Sequence, residues 1–135
     1  MKKIIFVVIL FSFIIVLFGC QSAVPSDIPD DLSPQEIIQQ AQEYYEKGNT
    51  AASEYMYEIL LDRYGTDTTY LVTGLYEIAH IKVKARKYDQ AEQMLNQVLE
   101  CYDSYDASFI PAKYRVLAQK DLEKIEKSGK RKESK

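Results

Sequence analysis

An internal repeat with a period of 38 residues constrains the fold of this chain more than any other feature of its sequence. The stretch GNTAASEYMYEILLDRY returns as RKYDQAEQMLNQVLECY, with small, bulky and tyrosine residues in the same order. Because one helical hairpin cannot bury both of its faces, a similar hairpin stacked beside it covers what the first leaves bare. The repeated stripe has the spacing of one helical face and pairs Ser53, Tyr57, Leu60, Leu61 and Tyr64 with Ala91, Leu95, Val98, Leu99 and Tyr102.

Local signals divide the repeat into helices. Ser33, Pro34 and Glu36 form a capping box with proline at the first helical position, which predicts a helix from Pro34. Gly48 suits the left-handed turn that ends it, and Gly65 stops a second helix. The predicted fold is all-α, a short α-solenoid of two hairpins and a capping helix, with helices over residues 34–46, 50–64, about 69–85, from about 88, and about 108–127.

The amino-terminal sequence MKKIIFVVILFSFIIVLFGC has the layout of a bacterial export signal. Two lysines precede an apolar run from Ile4 to Phe18, and Gly19 and Cys20 follow. The run is shorter than the roughly 20 residues that a permanent transmembrane helix needs. An uncleaved, tilted anchor is the alternative interpretation.

The ending LFGC resembles the lipobox of bacterial lipoproteins, with Leu17, Gly19 and Cys20 matching and Phe18 replacing a smaller residue. The resemblance implies removal of a signal peptide over residues 1–19, lipidation of Cys20 and anchoring on the exported side of the membrane. Gln21 stands where an aspartate retains lipoproteins of enteric bacteria at the inner membrane, which favours the outer membrane.

The two ends of the chain differ in charge from the part between them. Residues 20–33, with their prolines and aspartates, predict a flexible tether that could span roughly 40 Å. Residues 27–126 carry a formal charge of −9, which argues against a nucleic-acid partner. Residues 128–135 are expected to form a basic, disordered tail, or to contact anionic lipid or an acidic protein surface. The basic stretch KVKARK either complements a helix dipole or binds a ligand.

Residues for metal binding or catalysis are scarce. His80 is the only histidine, so neither a two-histidine metal site nor a catalytic triad with a spare histidine can be built. Cys101 is expected to be a small packed residue, and Gly74 to permit close approach of a neighbouring helix. We therefore expect a protein that is not an enzyme and holds no cofactor.

The repeats resemble tetratricopeptide repeats over residues 34–127. The matching positions are Ala41, Tyr44, Gly48, Ser53 and Tyr57 in the first copy and Ala79, Tyr88, Ala91 and Leu95 in the second. Arg86 replaces the turn glycine, and the period is longer than that of the family. The lengthened repeat with a closing tyrosine is similar to the repeats of β-barrel-assembly envelope lipoproteins.

This resemblance implies a groove that binds a peptide or an envelope protein on the concave side. Carried over by position, the groove residues are Ile38, Gln42, Tyr45, Tyr76, His80, Val83, Lys84 and Tyr114. The alternative is that these residues simply pack helix against helix. The implied function is a membrane-anchored adaptor in outer-membrane protein assembly or a transport complex. The competing hypothesis is a structural envelope subunit that forms a homo-oligomer without a separate peptide ligand.

Overall fold

The computed structural model describes residues 23–104 and 107–133, the last four of them as backbone only. This part of the chain is all-α, without strands. Its helices are α1 (Pro34–Glu46), α2 (Thr50–Tyr64), α3 (Thr68–Lys84), α4 (Tyr88–Ser104) and α5 (Lys113–Glu133). A short 3₁₀ turn, Ala107–Phe109, lies between α4 and α5. The predicted signal peptide and Cys20 lie outside the described residues, and none of the described helices is long and apolar enough to cross a membrane.

Consecutive helices pack against each other, and α3 also packs against α5. The result is the predicted short helical solenoid of two hairpins and a closing helix. The buried faces of the first hairpin and of α3 form one apolar cluster, and α3, α4 and α5 form a second. The repeated stripe is buried in both copies at its first three positions, Ser53, Tyr57 and Leu60 in α2 and Ala91, Leu95 and Val98 in α4.

The helix ends follow the predicted capping chemistry. The Ser33 hydroxyl accepts a hydrogen bond from the Glu36 amide, and the Glu36 carboxylate accepts one from the Ser33 amide at 2.8 Å. The Ser33 hydroxyl also donates to the Glu36 carboxylate at 2.6 Å, and this hydrogen bond, followed by the one from the Ser33 amide, lowers the pKa of Glu36. Gly48 has φ 78° in the α1–α2 turn, and Arg86, at the equivalent position of the α3–α4 turn, has φ 61°. Both hairpins therefore use the same left-handed turn, in the second case without glycine.

Gly74 confirms the prediction of a close helix approach. A Cβ atom at this position would lie 2.6 Å from Cδ2 of Leu61, far inside van der Waals contact. The absence of a side chain on α3 therefore allows α2 to settle against it.

The segment of residues 23–33, named here the strap, corrects the expectation of a flexible tether. Ile28 and Leu32 pack against the first apolar cluster. The Arg63 guanidinium donates to the carbonyls of Pro29 at 2.7 Å and Ile28 at 3.4 Å, and the Tyr64 hydroxyl donates to the carbonyl of Leu32 at 2.7 Å. The strap is held because Ile28 and Leu32 pack against an apolar surface and its free carbonyls accept hydrogen bonds from donors on α2.

The closing helix also differs from the expectation. It begins at Lys113 rather than near residue 108, because Pro111 cannot occupy a helix interior and disfavours helical backbone at the residue before it. It continues to Glu133, through most of the segment predicted to be a disordered tail. Good helix formers dominate there, and Lys127 pairs with Glu123 at 3.5 Å one turn earlier.

Candidate functional site

A cavity of about 110 Å³ lies between α1, α2 and α3 and is named here the inner cavity. Three of the predicted groove residues, Gln42, Tyr45 and His80, line it together. Its remaining lining residues are Glu46, Tyr57, Glu77 and Ile81. The contributions of α1 and α3 have the same spacing: each helix presents residues at i, i+3 and i+4, which lie on one helical face.

The inner cavity exists because α1 and α3 pack less closely than α3 and α5. At the α3–α5 seam, the rings of Tyr76 and Tyr114 lie with their centroids 5.2 Å apart. His80 Nδ1 lies 2.6 Å from a carboxylate oxygen of Asp121 on α5. The α1–α3 seam is bridged at its far end by Gln35, whose side chain donates to the Tyr70 hydroxyl at 2.9 Å.

A polar network holds His80 in place at one wall of the inner cavity. Asp121 is buried, and besides pairing with His80 it accepts a hydrogen bond from the Tyr76 hydroxyl at 3.4 Å. The Tyr76 and His80 rings are stacked with centroids 5.8 Å apart. Burial and the nearby Asp121 carboxylate raise the pKa of Tyr76, so this hydroxyl stays protonated and acts as a donor. The orientation of the imidazole is therefore fixed from two directions.

Glu77 is a half-buried carboxyl group in the lining of the inner cavity. Burial raises the pKa of this carboxyl, while His80, Lys113 and a hydrogen bond from the Tyr114 hydroxyl oppose the shift. Burial, followed by the Glu77 charge, likewise raises the pKa of Tyr57. Two carboxyl groups, those of Glu46 and Glu77, thus line the inner cavity, and its lining includes no lysine or arginine.

The other predicted groove residues lie elsewhere, which corrects their assignment. Tyr76, Val83 and Tyr114 are between 2% and 5% exposed and belong to the second apolar cluster, because α3 is covered by several neighbouring helices. Ile38 is half-buried against the first cluster, and Lys84 is exposed at the end of α3. The alternative interpretation, that the residues pack helix against helix, therefore applies to Tyr76, Val83 and Tyr114.

Sequence reasoning missed Glu46, Tyr57, Glu77 and Ile81. A signal for Glu77 and Ile81 was present, since both lie within one helical turn of His80 on the same face of α3. Tyr57 carried no such signal, because its position in the repeated stripe of α2 predicts a core residue, and it is 2% exposed.

The remaining reactive side chains do not form a second site in the part of the chain described. Cys101 is buried, as expected for a packed residue, and burial raises the pKa of its thiol. Across residues 23–104 and 107–133, no group of three or more histidine, cysteine, aspartate or glutamate side chains is placed to hold a metal ion.

Comparison with known proteins gives one distant similarity. A protein of Treponema pallidum (strain Nichols), itself described as uncharacterized, is 28% identical over 110 residues, which are 81% of this chain. The chain spans 44% of the length of that relative. No family model and no solved structure matches the chain. Functional proposals therefore depend on the inner cavity and on the distribution of charge around it.

Proposed function

We propose that the protein is a lipid-anchored adaptor of the bacterial cell envelope that binds a segment of another envelope protein in its inner cavity. The observation that carries the proposal is the placement of Gln42, Tyr45 and His80 around one cavity between the first helices of the two hairpins. Tetratricopeptide proteins bind their partners on the side lined by these helices, and the sequence resembles that family over residues 34–127. The lipobox resemblance at Cys20 supports the anchoring, with outer-membrane protein assembly or a transport complex as the setting.

The lining of the inner cavity favours a basic side chain of the partner. Glu46 and Glu77 supply negative charge, and the rings of Tyr45 and Tyr57 supply faces over which a cation is attracted. Arginine suits such a site better than lysine, because its planar guanidinium stacks on aromatic rings and hydrogen-bonds to carboxylates in a fork. A cavity of about 110 Å³ admits one such side chain, so the partner presents a short segment with an arginine anchor.

The network behind the cavity wall makes the site ready to bind. His80 is held by Asp121 and stacked on Tyr76, so its ring loses little freedom when a ligand arrives. A site that is already ordered avoids part of the entropy cost of binding.

Cross-linking in intact cells followed by affinity capture and mass spectrometry tests this proposal. Tyr45 is 37% exposed and lines the inner cavity, whereas Tyr55 is 36% exposed on α2 and does not line it. We expect the native protein and the Tyr55→Ala variant to capture the same partner, and the Tyr45→Ala variant to lose it. Equal capture by all three proteins would show that the inner cavity is not the binding site.

A second pair of variants tests the charge of the ligand. Replacing Glu77 by glutamine keeps the shape of the cavity wall but removes its half-buried charge, whereas Glu58→Gln removes an exposed charge from α2. We expect Glu77→Gln to weaken capture of the partner by about tenfold, the effect of losing one charge-assisted hydrogen bond. Glu58→Gln should leave it unchanged. Stronger capture by Glu77→Gln would indicate an acidic or apolar ligand instead.

Self-association is the second candidate function. Phe109, in the turn before α5, is 79% exposed, and Val116 on α5 is 50% exposed, so two large apolar side chains are accessible to a partner subunit. If the closing helix forms a subunit interface, the chain in detergent micelles should sediment as a defined oligomer. The Phe109→Ser variant should then sediment as a monomer. A native chain that remains monomeric at every concentration would contradict self-association.

A further inference from the structure

The turns of the solenoid divide its surface into two edges. Neighbouring helices joined by three-residue turns run antiparallel, so alternate turns lie at opposite edges. The α1–α2 turn (47–49), the α3–α4 turn (85–87) and the carboxyl end of α5 lie at one edge, named here the basic edge. The α2–α3 turn (65–67) and the 3₁₀ turn Ala107–Phe109 lie at the other, named here the acidic edge.

Cations concentrate at the basic edge. Lys84, Arg86 and Lys87 are exposed, and none of the ion pairs among the described residues involves them. Lys47 makes a pair at 3.6 Å with Glu43, in which both side chains are largely exposed to solvent. Lys82 is not part of this edge, because it is paired with Glu54 on α2.

The carboxyl end of α5 adds further positive charge. With 21 residues α5 is about 31 Å long, against about 25 Å for the 17 residues of α4. The sequence of its carboxyl end contains Lys127, Lys130, Arg131 and Lys132. Acidic residues are present too, at Glu46, Asp89, Glu126 and Glu133, but the cations of the edge outnumber them.

The acidic edge has the opposite character. Its arginines are paired, Arg63 with Asp30 at 3.3 Å and Arg115 with Asp103 at 3.7 Å. Lys113, at the start of α5, is exposed there as well, but the exposed carboxylates Asp31, Asp62 and Asp67 outnumber it. Since residues 27–126 carry a net charge of −9, the basic edge is a local reversal of the charge of the whole domain.

The strap fixes where the chain enters the domain. Asn49, in the α1–α2 turn, donates a hydrogen bond from its side-chain amide to the carbonyl of Ala23 at 2.9 Å. The strap then runs to Arg63 and Tyr64 at the acidic edge. The amino-terminal end of the described chain, which leads towards Cys20, therefore lies at the basic edge.

We propose that the basic edge docks on the surface of a membrane that contains anionic phospholipids. Each lysine or arginine close to such a surface is attracted by its negative potential, while the acidic remainder of the domain is repelled, so the solenoid stands on this edge. The inference rests on the membrane anchoring in the proposed function and is independent of any ligand in the inner cavity. Because the attraction is electrostatic, salt weakens it.

Acetylation footprinting of the full chain in nanodiscs tests the docking. The acetylation rates of individual lysines are compared by mass spectrometry between discs of neutral phosphatidylcholine and discs containing phosphatidylglycerol. We expect Lys84 and Lys87 to react about fivefold more slowly on the anionic discs, the protection that about 1 kcal/mol per cation provides. Lys113 and Lys120 should react equally on both, and high salt should abolish the difference. Equal rates for Lys84 and Lys87 on both kinds of disc would overturn the proposal.

Two double variants with the same change in net charge distinguish an effect of the basic edge from an effect of the net charge of the protein. Lys84→Gln with Lys87→Gln, and Lys113→Gln with Lys120→Gln, each remove two positive charges. The first pair should lower the protection of Lys47 severalfold and the second should leave it unchanged; equal effects would contradict docking by this edge. If the chain does not enter neutral discs, the hypothesis of a lipid anchor is wrong. Protection of Lys84 and Lys87 by added anionic vesicles then still tests whether the basic edge docks.

Protection of these lysines in cells but on neither kind of disc would assign the basic edge to a protein partner and overturn the lipid proposal.

Discussion

At the scale of single residues, the hydroxyl of Ser53 stands out because it is fully buried without a hydrogen-bond partner in the structure. Its repeat equivalent, Ala91, is equally buried. Since an unsatisfied buried hydroxyl costs free energy, Ser53→Ala should raise the free energy of unfolding by about 1 kcal/mol. Chemical denaturation followed by circular dichroism measures this change. The reverse exchange, Ala91→Ser, should lower the free energy of unfolding, and a loss of stability in Ser53→Ala would reveal a hydrogen bond of this hydroxyl.

Glu77 should make stability depend on pH. Because burial raises its pKa in the folded state, the folded protein holds this proton to higher pH than the unfolded chain does. The stabilisation from the protonated carboxyl is complete below the unfolded pKa and is lost as pH rises through the folded pKa. The free energy of unfolding of Glu77→Gln, relative to that of the native protein, should therefore be most favourable near neutral pH and least favourable under acidic conditions.

Denaturation of the native protein and of Glu77→Gln between pH 4 and pH 8 tests this dependence. The difference between the two proteins is the informative quantity, because other carboxyls act in the opposite direction. Glu36, whose pKa is lowered by its capping hydrogen bonds, loses its contribution as pH falls. A difference that is constant over the range would mean that Glu77 titrates alike in the folded and unfolded chains.

At the scale of secondary structure, the two left-handed turns differ in how well the sequence suits them. Arg86 has φ 61°, a conformation that costs a residue with a side chain about 1 kcal/mol relative to glycine, as present at Gly48. We expect Arg86→Gly to raise the free energy of unfolding by about 0.5 to 1 kcal/mol and Gly48→Ala to lower it by about 1 kcal/mol. The midpoint of urea denaturation measures both.

A neighbouring substitution controls for the flexibility that glycine adds to the unfolded chain. Lys87 lies in the same turn without a positive φ, so Lys87→Gly should only destabilise, by about 0.5 kcal/mol. Destabilisation by Arg86→Gly of the same size would show that the Arg86 side chain contributes more than its backbone conformation costs.

The sequence placed the first two helices closely because short-range chemistry determines their ends. The Ser33 capping box and the Gly48 turn each act within four residues and need no information from the rest of the fold. The closing helix was misplaced because the apolar spacing continues upstream of Pro111, where the backbone cannot follow it.

The candidate site was less predictable than the helices. Three positions taken from the repeat pattern, Gln42, Tyr45 and His80, lie around one cavity. The pattern failed for Tyr76 and Tyr114 because α5 packs tightly on α3, a tertiary contact that no single helix encodes. Equivalent positions in a short solenoid therefore need not have equivalent exposure.

At the scale of the whole molecule, the strap ties the amino-terminal segment to the first hairpin. The Arg63 side chain is 21% exposed and donates to two strap carbonyls, so Arg63→Ala should lower the free energy of unfolding by about 1 to 3 kcal/mol. The amides of residues 27–32 should then exchange hydrogen faster. Lys47→Ala, which breaks an exposed ion pair, should change stability by less than about 0.5 kcal/mol. Unchanged exchange in Arg63→Ala would show that the Tyr64 hydrogen bond and the apolar contacts hold the strap without Arg63.

Composition could not predict the strap. Prolines and aspartates outnumber its apolar residues. Nothing within the segment indicates that Ile28 and Leu32 pack against the first apolar cluster. The donors that hold it, Arg63 and Tyr64, lie more than 30 residues away in sequence. Long-range pairings of this kind become visible only when the tertiary structure is known.

The attachment of the strap determines how much of its surroundings the domain can search. A free linker from Cys20 to Ser33 would allow a reach of roughly 40 Å, whereas the three residues from Cys20 to Ala23 allow only about 10 Å. The accessible volume around a lipid anchor shrinks with the cube of that distance, by roughly sixtyfold. If Cys20 is the anchor, a partner fixed in the same membrane close by meets the inner cavity at a correspondingly higher effective concentration. A partner whose binding segment lies beyond this reach of the anchor is not contacted, so proximity to the membrane anchor itself becomes a source of selectivity.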